Sequence, residues 1–219
     1  MADSRRSIAV LIGSPKGLER SSSARLASKV TGILETRDWT SQAFHIHKSL
    51  QDETIEREMH AAIDRADVVL LSFPLYVDGL PGPVTLGLER IAQRQSTRDS
   101  SRGPVRFASI VNCGFVEPTH NFLAERMLRA FSEQAAFEWY GAVMLGMAGM
   151  VNKRIAEGLG HLAAAMDEDI LMPESVVHLT EKAMFPRWLY ILVGNHMWKK
   201  QAKEYNAVSK LKDHPYKEA

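Results

Sequence analysis

Ser7-Ile8-Ala9-Val10-Leu11-Ile12-Gly13-Ser14-Pro15-Lys16-Gly17-Leu18-Glu19-Arg20-Ser21-Ser22-Ser23 is the stretch whose reading decides the fold. Its first part is a continuous apolar run closed by a Gly-Ser-Pro breaker, which predicts a strand buried on both faces. Beyond a polar loop, Leu26, Val30, Ile33 and Leu34 recur at helical spacing, with serines placed to cap a helix over Ser22 to Arg37. The same alternation repeats downstream. It predicts strands over Gln42 to His47, Asp67 to Phe73, Val105 to Asn112 and Trp139 to Leu145, and helices over Glu53 to Arg65, Pro83 to Gln95 and Thr119 to Phe137. Five strands separated by four helices imply an α/β fold, a doubly wound parallel sheet covered on both faces.

Strand composition refines the order. Val68-Val69-Leu70-Leu71 and Ala108-Ser109-Ile110-Val111 are uninterrupted, as central strands are. Ala43-Phe44-His45-Ile46-His47 alternates apolar with polar and reads as an edge strand, with His45 and His47 on one face. An edge second strand fits the order 2-1-3-4-5. Lys153 to Asp167 reads as a fifth helix closing the sheet, and no strand signal follows Pro173. Two regions result: a sheet domain over 1–172 and a C-terminal helical extension over 173–219, packed on the domain or on a partner subunit. Between Arg187 and Lys217 the extension carries seven basic residues (Arg187, Lys199, Lys200, Lys203, Lys210, Lys212, Lys217) against Glu204 and Asp213.

Composition narrows the function classes. The chain has 219 residues, enough for a full core, and its 27 Lys plus Arg against 26 Asp plus Glu leave a net charge of +1. Bulk electrostatics therefore gives no reason to expect nucleic acid as partner. A single cysteine excludes an intramolecular disulfide framework and a cysteine-ligated cluster, and points to the reducing cytoplasm. The start, Met1 to Arg6 followed by a short apolar run and Pro15, has no export signal. The longest late apolar run, Trp188 to Gly194, is far below the ~18 residues of a spanning helix, so no integral membrane segment is expected.

In an open parallel sheet, ligands bind beyond the carboxyl ends of the strands where the order reverses, here between the first and third strands. Gly13 to Ser23 lies there and ends at a helix N-terminus, where free N–H groups, serine hydroxyls and the helix dipole suit a phosphate. The plainer alternative is that the serines only cap the helix. The loop is neither a GxGxxG fingerprint nor a GxxxxGK[ST] loop. After the third strand, Ser72-Phe73-Pro74-Leu75-Tyr76-Val77-Asp78-Gly79-Leu80-Pro81-Gly82-Pro83 is stiff and mostly uncharged, able to lay backbone and Tyr76 along a flat heteroaromatic ring. A proline-rich turn with Tyr76 packed on the next helix is the alternative. After the fourth strand, Asn112-Cys113-Gly114-Phe115-Val116-Glu117-Pro118 supplies a third loop, in which Gly114 lets backbone approach a ligand.

Gly13-Ser14-Pro15-Lys16 with Ser21-Ser22-Ser23, followed by Pro74-x-Tyr76 and Pro81-Gly82, resembles the NAD(P)H-dependent FMN reductase branch of the flavodoxin-like proteins over roughly residues 7 to 150. The resemblance implies that Ser14, Lys16, Ser21, Ser22 and Ser23 hold the FMN phosphate. It also implies that Pro74, Leu75, Tyr76, Val77, Asp78 and Gly79, with Asn112, Cys113, Gly114 and Phe115, flank the isoalloxazine. Two positions depart from the pattern: Ser22 stands where relatives often have Asn, and Val84 and Thr85 occupy the stretch where a Lys often follows the Pro-Gly. The implied activity is transfer of reducing equivalents from NADH or NADPH through FMN to a small acceptor such as a flavin, a quinone, a nitro or azo compound, or a metal ion. No acid or base residue is required, so no catalytic side chain is named. The rival class is a non-enzymatic electron carrier or flavin-binding interaction module, which a net charge of +1 does not favour.

Cys113 reads as a small buried hydrophobe, since no second cysteine is present to resolve it. The histidines show no HExxH pair, and no metal site is expected. Met144, Met147 and Met150 read as core filler. In the extension, Tyr190, Val193, Met197 and Trp198 fall near one helical face flanked by Lys199, Lys200 and Lys203. A homodimer contact is the expected use of that face, and an anionic membrane surface the alternative.

Overall fold

Elements β1 (Ser7–Ile12), β2 (Thr40–His45), β3 (Val68–Pro74), β4 (Arg106–Asn112) and β5 (Glu138–Leu145) form one parallel sheet in the order β2-β1-β3-β4-β5. The computed structural model describes residues 5–95, 103–147 and 150–213. Met1 to Ser4 and Lys217 of the basic tail lie outside the described residues, as do the side chains of Leu18 and His178. The fold expected from the alternation is the one observed, strand order included.

Each strand occupies its place for a reason visible in its side chains. β1, β3 and β4 pair on both edges and are almost wholly buried, so both of their faces are apolar. β2 pairs only with β1, and Ser41, Gln42 and Ala43 stay exposed on it. One face of the sheet is covered by α3 (Glu53–Arg65), α4 (Gly82–Gln95) and α5 (Phe122–Gln134), whose Met59, Ile63, Leu88, Ile91 and Leu128 join Leu11, Leu71 and Phe107 in one core. The other face is covered by α1 (Ser22–Glu35) and α6 (Lys153–Glu168), which pack against each other and bury Leu26, Val30, Leu34, Leu159 and Leu162. Each such side chain, fully buried, contributes about 1.5–3 kcal/mol of transfer free energy. The sheet is thereby a rigid platform, and its carboxyl rim is left to loops.

Two element ends differ from the sequence reading. β2 stops at His45 and the chain turns at once into a short helix, α2 (Ile46–Ser49), so His45 and His47 do not share a strand face. The apolar spacing of Phe44 and Ile46 imitates a strand, but Ile46 turns inward, packing where its Cγ2 lies 2.8 Å from the Cβ position of Gly87 in α4. The expected helix from Thr119 instead opens with a 3-10 turn over Pro118–Asn121 before α5 begins.

The described chain divides into a unit that ends at Lys182 and another that begins at Ala183. The first includes α7 (Glu174–Thr180), which packs on α6 and β5. The second is built from α8 (Arg187–Glu204) and a 3-10 turn over Val208–Lys212. Its apolar residues do not keep to one face of α8: Trp188, Ile191, Leu192, Val193, Met197 and Trp198 are all exposed, and the lysines follow them along the axis. Among the described residues no helix is long and apolar enough to cross a membrane.

Candidate functional site

Loop 1, between β1 and α1, is held against the sheet at its first residue. The Gly13 N–H donates to Ser72 O at 2.9 Å, and a Cβ on Gly13 would lie 2.4 Å from Val84 Cγ2 and 2.8 Å from Phe73 Cβ. Only glycine fits so close to α4. Further on, the Ser14 hydroxyl accepts from Lys16 N at 3.3 Å, and His45 Nε2 meets Lys16 O at 3.1 Å. Ser21 is the N-cap of α1, its hydroxyl accepting from Ala24 N at 3.1 Å. The first turn of α1 thus presents unsatisfied N–H groups at its positive end.

That turn is pinned across two strands. Ser72 Oγ on β3 donates to Ser23 O at 2.9 Å, and Asn112 Nδ2 on β4 donates to Ser23 Oγ at 2.9 Å and to Phe73 O at 3.0 Å. Asn112 O accepts from Leu75 N at 2.8 Å. Asn112 therefore joins loop 1, the end of β3 and loop 3 at a single buried residue, and its Oδ1 is left buried without a partner.

Loop 2 folds as a two-residue turn. Tyr76 and Gly79 exchange backbone bonds of 3.1 and 3.0 Å, and Val77 and Asp78 between them have φ of 49° and 54°. This is a type I′ turn, a conformation a β-branched valine adopts only under strain. It lifts Val77 into solvent and leaves Tyr76 45% exposed beside the rim. Loop 3 answers with Phe115, 48% exposed and stacked on His120 at a centroid distance of 4.3 Å. His120 Nδ1 lies 3.6 Å from Asp78 Oδ1, so the tips of loops 2 and 3 are linked through one histidine.

Known proteins place this architecture. No family model matches the sequence, and no curated protein matches it. Among solved structures, an NADH:FMN oxidoreductase in its apo form superposes with a TM-score of 0.59 at 18% identity, over 83% of this chain and 97% of that one. A WrbA-like flavodoxin from Agrobacterium tumefaciens gives 0.56 at 17% identity, over 76% and 97%. The chain has the flavodoxin-like fold. Rubredoxin oxygen:oxidoreductase from Desulfovibrio gigas gives 0.56 at 11% identity over 75% of this chain, which spans 36% of that protein's length. At these identities the likeness is one of fold.

Within the flavodoxin-like fold, the site residues expected from the sequence separate into three kinds. Ser14, Lys16 and Ser22 lie on loop 1 and the opening of α1, with Lys16 exposed and Ser22 half-buried. Ser21 and Ser23 are fully buried, their hydroxyls engaged by Ala24 N and Asn112 Nδ2. Pro74, Leu75, Tyr76, Val77, Asp78 and Gly79 form loop 2, and Asn112, Cys113, Gly114 and Phe115 enter loop 3. Cys113 packs inward, where burial pushes its thiol up, against contacts with the Phe115 carbonyl and the Asn121 amide. Such a thiol is inert.

Three residues of this rim escaped the sequence reading. His45 and His47 lie beneath loop 1, their rings edge to face at 5.4 Å, each with one buried nitrogen lacking a partner. Burial holds His47 below the usual imidazole pKa, His45 adds to that, and the Gly13 carbonyl against the ring opposes it. His120 bridges loops 2 and 3. A histidine two residues from another at a strand end was the available signal, masked by reading both onto the strand.

FMN fits what this rim offers. Asn112 Oδ1 is an orphaned buried acceptor, and a Cβ at Gly17 or Gly114 would meet nothing within 4 Å, so the backbone of loops 1 and 3 is uncrowded there.

Proposed function

We propose that this chain binds FMN at the carboxyl ends of β1, β3 and β4 and uses it to pass reducing equivalents from NADH or NADPH to a small acceptor. The observation that carries the reading is the Asn112 constellation, which ties the N-terminus of α1, the end of β3 and the start of loop 3 into one site. The flavodoxin-like fold shared with an NADH:FMN oxidoreductase supports it. FMN, when bound, supplies a ring able to take two electrons from a nicotinamide and yield them to an acceptor.

The chain's own work is binding and orientation. N–H groups of loop 1 and the first turn of α1, the Ser22 hydroxyl and Lys16 would hold the phosphate, favoured by the helix dipole. Tyr76 and Phe115 would flank the ring and exclude water from one side of it. Ser21 and Ser23 act differently from the others in this reading: one caps the helix and the other fixes it to Asn112, so both shape the loop. No side chain need exchange a proton for hydride transfer between the two rings.

The test is to mix purified protein with FMN and then NADPH or NADH without oxygen. Rapid bleaching of the flavin absorbance is expected, beyond that of free FMN with the same nucleotide. Isothermal titration should show FMN binding well ahead of riboflavin and FAD, because the site is built for one terminal phosphate. Tight FMN binding without bleaching would indicate the electron-carrier class, and equal affinity for riboflavin would remove the phosphate-loop assignment.

A further inference from the structure

His45 is 8% exposed, and its Nε2 meets Lys16 O at 3.1 Å, so that nitrogen carries the proton. Nδ1 is buried and without a partner. His47, from the first turn of α2, sets its ring edge to face on His45 at 5.4 Å, and the nearby Gly13 carbonyl opposes the lowering of its pKa. Its own Nε2 is likewise buried without a partner. One imidazole thus holds a loop 1 carbonyl directly, and the second backs it with the Gly13 carbonyl nearby.

The consequence follows from the trans peptide. No cis bond occurs among the described residues, and in a trans unit the C=O and the following N–H point in opposite directions. A ring that holds Lys16 O turns the Gly17 N–H away from the histidines, and one that faces Gly13 O does the same for the Ser14 N–H. Both N–H groups then point away from the histidine pair. Gly17 has nothing within 4 Å of its Cβ position, so the space beyond it is open. A lone helix N-terminus offers only its own first-turn donors; here two more are fixed in place from behind.

We propose that His45, backed by His47, is a positioning residue for anion binding: by holding loop 1 through its carbonyls it aims the Ser14 and Gly17 N–H groups at the phosphate of the bound ligand. This rests on the FMN reading above and adds to it the residues that shape the phosphate site without touching the phosphate. Preorganised N–H donors bind an anion without the cost of ordering the loop on association. His47 stays a neutral partner at pH 7, because burial and His45 both lower its pKa; His45 is the titratable group that acts on it, and Lys16 and Lys48 beside the pair are exposed.

The test compares FMN with riboflavin, which lacks the phosphate, on the purified full chain by isothermal titration. His45→Phe keeps a ring and removes the donor; His45→Gln returns an N–H donor at similar reach. His45→Phe should lose FMN affinity at least tenfold while riboflavin affinity changes less than twofold, and His45→Gln should recover most of the loss. His47→Phe should show the same selectivity with a smaller loss. If His45→Phe retains the wild-type ratio of FMN to riboflavin affinity, or lowers both equally, the positioning role is wrong. If circular dichroism shows that His45→Phe does not fold, His45→Gln against the shorter His45→Asn decides: equal FMN-to-riboflavin ratios overturn the proposal, and a ratio lost only in His45→Asn supports it. A wild-type protein that binds riboflavin as tightly as FMN sinks the phosphate-loop reading itself, and that outcome is visible before any variant is made.

Discussion

The two ends of the same sheet treat polar groups in opposite ways. At the amino end, Asp167 from the last turn of α6 accepts from Arg6 Nη2 at 2.6 Å, Trp39 Nε1 at 2.9 Å and Arg37 Nη1 at 3.0 Å, and Arg6 lies over the Trp39 ring. Nearby, Arg106 pairs with Glu138 and Asp169, and Ser7 N donates to Asp67. The Trp39 indole first, then Arg37 and Arg6, hold the Asp167 carboxyl below the ordinary aspartate range. At the carboxyl end, His45 Nδ1, His47 Nε2, Asn112 Oδ1 and Asn121 Oδ1 are buried without partners; among the described residues only Ser109 Oγ, within β4, shares that condition. A buried polar atom left alone costs about 1–3 kcal/mol. The amino end spends its polar groups on its own stability, whereas the carboxyl end holds acceptors and donors in reserve.

Substitutions should separate those roles, the largest effect on stability coming from the amino end. Asp167→Ala removes three bonds and leaves the Trp39 N–H without its acceptor, so unfolding by urea should show a loss of about 2–3 kcal/mol, with FMN affinity unchanged. Asn112→Ala should cost somewhat less, about 1–2 kcal/mol, since the Ser23 hydroxyl and the Phe73 carbonyl lose a donor while the orphaned Oδ1 acceptor goes with them. Its FMN affinity should nevertheless fall tenfold or more by titration. A stability loss at Asn112 as large as at Asp167, with ligand affinity intact, would erase the contrast between the ends.

Ser21→Ala sits between the two. The cap bond to Ala24 N is worth about 1 kcal/mol, and because the hydroxyl is already occupied, FMN affinity should drop only as far as the helix end frays. The smallest effect is on pH dependence. His47 and the buried His60 are both held below the usual histidine value, each chiefly by burial. An unfolded chain then binds more protons than the folded one below about pH 6.5, so stability should fall as pH drops from there. At the alkaline end Tyr140, pushed up to about 12 chiefly by burial, stays protonated where an unfolded tyrosine ionises near 10. Stability should therefore decline again above pH 10, and Tyr140→Phe should remove that decline.

Most of the architecture was legible because the cues were local. The apolar run of β1, the capping serines of α1 and the Gly-Pro punctuation of loop 2 each specify their own element, and the alternation over Ala43 to His47 pointed to an edge strand, although the polar residues that β2 exposes there are Ser41 and Gln42. The candidate site was legible as three loops at one end of the sheet. What the sequence did not contain was the cross-links among them: that Ser23 is spent on Asn112, separated by 89 positions, or that His120 joins Asp78 to Phe115, depends on packing distances no local pattern carries. His47 was misplaced for a related reason. Its alternation with His45 satisfied the strand period, while the inward turn of Ile46 toward Gly87 is a tertiary contact.

The central claim is that the carboxyl rim, and not the amino end, receives a phosphate-bearing ligand. Titration of 15N-labelled protein with FMN, read in amide and indole N–H spectra, tests it most directly. The Ser14, Gly17, Ser22 and Tyr76 amides and the Asn112 side-chain amide should shift, riboflavin should reproduce only the Tyr76 and Asn112 shifts, and the Trp39 indole should not move. Shifts centred on Trp39, or Ser14 and Gly17 signals as responsive to riboflavin as to FMN, would contradict it.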